Sequence, residues 1–268
     1  MQRVSLVVTD VDGTMVTDAK VLTPRAIAAV ARLNAAGIPF SICSSRPPFG
    51  LRMMIGPLQL KQPFGGYNGG AIVNPDLSVI EQKLIPPDAA REAVATFRQQ
   101  GVDCWVFSGN EWLIVNPDGA HVAHETHTVQ TPPTVVPAFT EAHFATAGKI
   151  VGPSDDHPLV ARLAEDLHDR LDARASVIRS QLYYCDVTAP GVDKGRLVDV
   201  LAARLGVPQD EILVLGDGDN DIELFRRAGF AVAMGNASDA VKAAAQGTTL
   251  SNEEDGFAVA IDRYVFGD

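Results

Sequence analysis

The stretch Val4-Ser5-Leu6-Val7-Val8-Thr9-Asp10-Val11-Asp12-Gly13-Thr14 decides how this 268-residue chain is read. Val4 to Val8 is a nearly continuous apolar run, the pattern of a strand buried on both faces of a parallel sheet. Asp10 and Asp12 therefore emerge together at the carboxyl end of that strand, where open α/β sheets place their chemistry. Gly13 permits a sharp turn, and Thr14 offers a hydroxyl to tie it down. Asp-Gly is also an ordinary turn dipeptide, so the pair acquires meaning only from the residues that the other strand ends carry.

The same pattern recurs along the chain. Thr23-Pro24 opens a helix-like run to Leu33, with a hydroxyl to cap it, proline in its first turn and Gly37 at its exit. A second apolar strand, Pro39 to Cys43, runs into Ser44-Ser45-Arg46-Pro47. Gly65-Gly66-Tyr67-Asn68-Gly69-Gly70 reads as a tight, flexible turn before a short strand, Ala71 to Val73. Beyond Gly191 come a helix from Lys194 to Leu205, a strand from Ile212 to Leu215 ending in Gly216-Asp217, a helix from Ile222 to Ala228 and a strand from Ala231 to Met234. A last helix, Asp239 to Ala245, comes after Gly235-Asn236. Alternating strands and helices predict a parallel, Rossmann-like sheet.

Between these two blocks the texture changes. A helix over Asp88 to Gln100 precedes strand-like Val102 to Phe107 and Glu111 to Val115, separated by Ser108-Gly109-Asn110. Next come strand-like Lys149 to Val151, a helix over Pro158 to Asp172 and paired strands Ser176 to Arg179 and Leu182 to Thr188. Strands joined by so few residues form hairpins, so this sheet is expected to be largely antiparallel. The Pro/Thr/His-rich stretch Asn116 to Pro137 reads as loop. The expected organisation is a discontinuous α/β core, residues 1–83 and 189–268, with an α/β domain inserted at 84–188.

Composition sets the limits. The formal net charge of −11 makes nucleic acid an unsuitable main partner, because the protein's field repels phosphate backbones. No apolar run of about 18 residues is present, and the N-terminus carries no basic or apolar leader. Cys43, Cys104 and Cys185 lack zinc-site spacing and read as buried thiols in a reducing compartment, so the expected location is the cytoplasm. Nothing in the sequence sets the oligomeric state.

Polar side chains now stand at several strand ends: Asp10 with Asp12, Ser44, Asp217 with Asp221, and Asn236. The loop Gly216-Asp217-Gly218-Asp219-Asn220-Asp221 is crowded with carboxylates, which repel one another unless a cation offsets them. Hard oxygen ligands with waters and a phosphate suit Mg²⁺. A helix-loop-helix calcium site is excluded, because the twelfth position from Asp217 is Ala228 where glutamate is required. Lys194, at the start of its helix, reads as a solvated lysine taken alone. Beside an acid cluster that must admit an anionic phosphoryl group, it supplies a needed ammonium.

This set of motifs resembles the haloacid dehalogenase-like superfamily: Asp10-Val11-Asp12-Gly13-Thr14, then Ser44, then Lys194, then Gly216-Asp217 with Asn220-Asp221. The spacing between the second and third resembles the Cof-like, subclass IIB phosphatases, with their large α/β cap. Asn68-Gly69-Gly70 and Asn252-Glu253-Glu254-Asp255-Gly256 are similar to segments of that group. The resemblance implies an Asp10 nucleophile, an Asp12 acid and base, and Ser44 and Lys194 holding phosphoryl oxygens. It also implies Mg²⁺ on the Asp10 carboxylate, the Asp12 main-chain carbonyl and Asp217, with Asp221 as ligand or support. Arg46 matches an arginine of the group, expected either to touch substrate or to brace its loop, and Asn220 is expected to contact substrate. Ser44 stands where many relatives have threonine, and Ser45 where glycine is frequent. An acid at position 12, where transport ATPases of the family carry threonine, implies rapid hydrolysis of the phosphoenzyme.

The implied function is a Mg²⁺-dependent phosphatase of small phosphorylated metabolites, sugar phosphates or phosphorylated cofactors, with a dedicated sucrose- or glycosyl-phosphate phosphatase as the narrower alternative. A phosphorylation-responsive binding module shares the acid cluster, hydroxyl and lysine, but such domains are about half this length. His121, His124 and His127 are spaced by three, which would put the first two on one helix face, yet a surface loop accounts for them more simply. Trp105, Phe107 and Trp112 fall on strands of the insert and are expected to pack its interior.

Overall fold

The computed structural model describes residues 3–268. It forms two compact units, Met1–Ile80 with Asp193–Asp268 and, between them in sequence, Glu81–Val192.

The first unit is built on a five-stranded sheet in the order Gly247–Thr248, Phe230–Ala233, Ile212–Gly216, Leu6–Thr9, Phe40–Ile42, all parallel. Leu6–Thr9 lies inside the sheet and all four of its residues are buried. Its side chains alternate between two apolar clusters, as the two-residue strand period demands. Val7 packs with Leu213, Leu215, Phe40 and Ile42 under Val30 and Leu33 of helix Pro24–Ala35. Leu6 and Val8 pack on the opposite face with Ile212, Val214, Leu197 and Leu201. Helix Pro24–Ala35 starts as its sequence dictates: the Thr23 hydroxyl accepts from Ala26 N–H at 3.1 Å, and Pro24 occupies the first turn. Helix Gly195–Leu205 ends at Gly206, whose φ of +66° suits a left-handed exit.

Register places the chemistry. Val8 pairs with Val214 and Thr9 with Leu215, so the residues after both strands leave the sheet on one rim. Asp10 N–H donates to Leu215 O at 2.9 Å, and Cys43 N–H to Thr9 O at 2.9 Å, drawing three loops to that edge.

The second unit holds a six-stranded sheet in the order Ser176–Gln181, Tyr184–Thr188, Ala147–Pro153, Trp105–Ser108, Glu111–Ile114, Thr134–Val135. Its pairings are antiparallel except the last, which is parallel. Helices Pro87–Gln99 and His157–Leu171 bury Ala89, Ala93, Phe97, Val160, Leu163 and Leu167 against Val106, Ile150, Cys185 and Val187. The alternate positions of the strands carry Trp105, Phe107, Trp112 and Tyr184, all buried. Trp105 meets Trp112 and Tyr184 edge-on, each at 5.2 Å between ring centres. Among these rings lies a buried ion pair, Lys149 Nζ to Asp186 Oδ2 at 2.6 Å.

Within the second unit, two features depart from the sequence expectation. The stretch Asn116 to Pro137 is not all loop, since it contains helix Val122–Val129 and strand Thr134–Val135. That helix has no side-chain cap, and both flanking residues, His121 and Gln130, are left-handed, at φ 61° and 50°. The usual start and stop signals are therefore missing. A second short helix, Glu141–Ala145, begins at the Thr140 capping box, beyond the elements expected from the pattern. The three cysteines are buried and free. Among the described residues, no helix is long and apolar enough to cross a membrane.

Candidate active site

The rim of the parallel sheet collects the acids. Asp10 comes directly after strand Leu6–Thr9, and Asp217 directly after strand Ile212–Gly216. A single 3₁₀ turn, Asp219–Asp221, brings Asp221 back beneath that loop. Oxygens of Asp10, Asp217 and Asp221 lie within 4.8 Å of one another. Lys194 is planted among them: its Nζ donates to Asp10 Oδ1 and to Asp221 Oδ1, both at 2.6 Å, and the residue is 2% exposed. The other oxygen of Asp221 accepts Asp217 N–H at 3.0 Å and Gly218 N–H at 2.9 Å, folding the loop around the carboxylate.

The electrostatics are set by this crowding. Burial, reinforced by Asp221 and Asp217, raises the Asp10 pKa well above the ordinary value, with Lys194 opposing. Burial and Asp221 likewise raise Asp217, to about 6. Burial alone would lower the Lys194 pKa, but Asp10 and Asp221 outweigh it and hold the ammonium firmly charged. Two buried carboxylates, Asp10 and Asp221, and the half-buried Asp217 against one ammonium leave a deficit of positive charge. Hard oxygen donors in that situation fit a divalent cation such as Mg²⁺.

Gly13 is the hinge of the opening motif. Its φ is +79°, and a Cβ there would lie 2.3 Å from Asp217 Oδ2. Asp217 is held in turn by the Thr14 hydroxyl at 2.8 Å, while Asn236 Nδ2 donates to Gly13 O at 2.8 Å. Gly13→Ala is expected to push Asp217 aside and to strain the turn. A displacement near 1 Å at a reacting centre costs about a hundredfold in kcat/KM, which steady-state kinetics beside a thermal melt would register.

Asp12 occupies different surroundings from Asp10. Arg46 grips it with two prongs, Nε to Oδ2 and Nη2 to Oδ1, each at 2.7 Å, and Lys20 Nζ lies 2.9 Å from Oδ1. Burial opposes ionisation of Asp12, but Arg46 and Lys20 prevail and hold its carboxyl far below the usual range. Arg46, at 3% exposure, is thus committed to Asp12. Ser44 is fully buried, its hydroxyl accepting Arg46 N–H at 3.1 Å, and Asn220 Nδ2 donates to Asn68 Oδ1 at 3.0 Å.

The structure therefore gathers Asp10, Lys194, Asp217 and Asp221 in one hydrogen-bonded cluster, and Asp12 with Arg46 in another. Lys20 and Asn68 join these groups although the sequence does not single them out as site residues. No local signal marks Lys20, which reaches Asp12 from a left-handed backbone (φ 63°) in an irregular loop. Asn68 lies in the glycine-rich turn, and the resemblance of Asn68-Gly69-Gly70 to a segment of the phosphatase group is the available clue. The His121–His124–His127 stretch makes no three-residue metal cluster among the described residues. His121 Nε2 sits 2.9 Å from Asp155 Oδ1 and its ring stacks on Tyr183 at 4.4 Å.

The sequence profile of the haloacid dehalogenase-like hydrolases matches residues 7–261. The chain belongs to that family. Among similar proteins, a 5-amino-6-(5-phospho-D-ribitylamino)uracil phosphatase of Bacillus subtilis is 27% identical over 269 residues, covering 97% of each chain. A pyridoxal phosphate phosphatase of Escherichia coli is 27% identical over 259 residues, covering 93% of this chain and 94% of that protein. A haloacid dehalogenase-like hydrolase from Bacteroides thetaiotaomicron, known as a crystal structure, is 27% identical. It superposes with a TM-score of 0.88 over 98% of this chain and 100% of that one.

Proposed function

We propose that this protein is a Mg²⁺-dependent phosphatase that hydrolyses small phosphate monoesters through a phosphorylated Asp10. The observation that carries the reading is the placement of the Asp10 carboxylate. It stands at a strand end, buried, hydrogen-bonded to Lys194 and within reach of Asp217 and Asp221.

Asp10 attacks phosphorus, forming an acyl phosphate as the ester P–O bond breaks, and Asp12 delivers a proton to the departing oxygen. Water then attacks the same phosphorus, Asp12 takes a proton from it, and the Asp10 carboxylate is regenerated as inorganic phosphate leaves. Lys194 holds Asp10 in position and offsets the charge of the transferring group. Ser44 supplies a hydroxyl beside it. In the substrate-free arrangement Asp12 is an ionised carboxylate clamped by Arg46 and Lys20. Its turn as a proton donor therefore requires that clamp to loosen and the carboxyl to gain a proton first.

Asp10 and Asp217, with the Asp12 main-chain carbonyl, are the groups suited to hold the metal. Asp221 is suited to brace them, since its oxygens already accept Lys194 and two main-chain N–H groups. A divalent cation bound there would supply positive charge to the phosphoryl oxygens as negative charge develops on them.

Two of the similar proteins are named for phosphate monoesters of small organic molecules, pyridoxal phosphate and a phosphoribitylamino-uracil. That supports a soluble metabolite of the same kind as substrate. The net charge of −11 argues against a polyanionic one. We assign choice of the leaving group to the inserted unit, Glu81–Val192, a cap in function.

Hydrolysis of para-nitrophenyl phosphate, then a screen of phosphorylated metabolites, tests the reading. Turnover is expected with Mg²⁺, to fall about a hundredfold on chelation and to return when Mg²⁺ is restored. Turnover indifferent to chelation, or no hydrolysis of any monoester, would overturn it.

A further inference from the structure

We infer that Asn68 is a further residue of the reaction centre, donating its side-chain amide to an anionic oxygen of the transferred phosphoryl group. This rests on the phosphatase reading of the same site.

Tyr67, Asn68 and Gly69 are three consecutive residues with positive φ, at 52°, 55° and 84°. A left-handed run of this kind is rare for side-chain-bearing residues and persists only where surrounding contacts fix it. Those contacts come from three motif loops. Tyr67 N–H donates to Arg46 O and Asn68 N–H to Ser44 O, both at 2.9 Å. Asn220 Nδ2 donates to Asn68 Oδ1 at 3.0 Å. Gly69 lies against the start of the Lys194 segment, so closely that a Cβ would meet Asp193 O at 2.3 Å, and Arg196 Nη1 donates to Gly69 O at 2.5 Å. The turn therefore sits where the loops bearing Ser44, Lys194 and Asn220 converge.

The side chain of Asn68 is 2% exposed, and its Nδ2 has no hydrogen-bond partner in the protein. A buried N–H₂ without an acceptor is costly, and native structures rarely leave one unless something else completes it. The ligand that this centre is built to receive is an oxyanion, and an oxyanion completes such a donor. Asparagine also suits the backbone, since after glycine it is among the residues that best tolerate the left-handed region. One residue thus sets the turn, receives Asn220 and offers a donor.

Orthovanadate, a tetrahedral oxyanion that becomes five-coordinate when a further oxygen binds it and then mimics the transferring phosphoryl group, is the probe. Its binding is measured by calorimetry in the presence of Mg²⁺ for wild type, Asn68→Asp and Asn68→Gly, alongside kcat, KM and thermal melts. Asn68→Asp keeps the size and an acceptor for Asn220 but turns the donor into a carboxylate. Asn68→Gly keeps the backbone and removes the amide. Both are expected to weaken vanadate binding and lower kcat/KM by about tenfold or more, the scale of a lost hydrogen bond to a charged group, with the aspartate worse and its melting lowered by the buried charge, while Asn68→Gly, which buries no charge, melts nearer to wild type. In wild type, the Asn68 side-chain amide proton resonance is expected to move on adding vanadate, which needs no variant to fold. Wild-type vanadate affinity in Asn68→Gly, or an unmoved amide resonance, would overturn the role of Asn68 while leaving the phosphatase reading intact. A wild-type protein that neither binds vanadate nor hydrolyses a phosphate ester would overturn both.

Discussion

Asp10→Asn is expected to abolish turnover, lowering kcat on para-nitrophenyl phosphate by about four orders of magnitude or more, with the fold intact. Loss of a covalent nucleophile has effects of this size because the chemical step has no substitute pathway in the site. The carboxamide keeps the shape of the carboxylate and an oxygen that can accept from Lys194 Nζ, now 2.6 Å from Asp10 Oδ1. It cannot form the acyl phosphate. The stability effect runs the other way. A carboxyl whose folded pKa is raised, as burial and its acidic neighbours raise that of Asp10, loses stability as pH climbs through that value and ionisation is forced. A neutral side chain avoids this loss. The metal-free variant is therefore expected to melt at or above the wild-type temperature at neutral pH. Lowered activity together with a lowered melting temperature would show damage to the fold and weaken the assignment.

Lys194→Met is expected to damage both properties. The ammonium is the cation that stands between Asp10 and Asp221, and all three groups are buried. Removing one member of a buried ion-paired set leaves uncompensated charge and costs about 3–5 kcal/mol. Two carboxylates would then face each other around an apolar methionine. Activity should fall about a thousandfold through the lost charge stabilisation. A second substitution separates the two effects. Lys194→Met with Asp221→Asn removes one of the stranded charges, so stability should partly recover while kcat should not. Urea unfolding and steady-state kinetics on both variants check this, and a Lys194→Met protein as stable and active as wild type would refute the electrostatic account.

The parts of this molecule that are legible in the sequence are those governed by local rules. A nearly continuous apolar run of Val and Leu implies a strand covered on both faces, and the strand Leu6–Thr9 has apolar clusters on each side of it. Once that strand is inside a parallel sheet, the residues at its carboxyl end lie on the rim that gathers the acids, as do those at the carboxyl end of Ile212–Gly216. Thr23 and Pro24 announce a helix start because capping is decided by adjacent residues. Helix Val122–Val129 leaves no such mark, because no adjacent residue caps it. Its threonines, Thr126 and Thr128, turn their hydroxyls back to Val122 O and His124 O, a habit that weakens helical signals.

Within the site, the illegible part is long-range pairing. In the sequence Arg46 is open to two roles, contact with substrate or support of its own loop. The structure gives its guanidinium to Asp12, 34 residues away in sequence. Lys20 reaches the same carboxylate from a loop without regular structure, and Asn68 meets Asn220 across 152 residues. Such pairs depend on how loops converge above the sheet, which no periodicity or spacing encodes.

Covalent capture of the phosphoenzyme shows which side chain carries the phosphoryl group. The protein is mixed with para-nitrophenyl phosphate and Mg²⁺, quenched in acid during turnover and treated with hydroxylamine, which converts an acyl phosphate to a hydroxamate. Peptide mass spectrometry then locates the modified side chain. The expected result is a hydroxamate on Asp10, dependent on substrate and absent from Asp10→Asn. A protein that turns over phosphate ester without modification at Asp10, or with the hydroxamate on another carboxylate, would contradict the account.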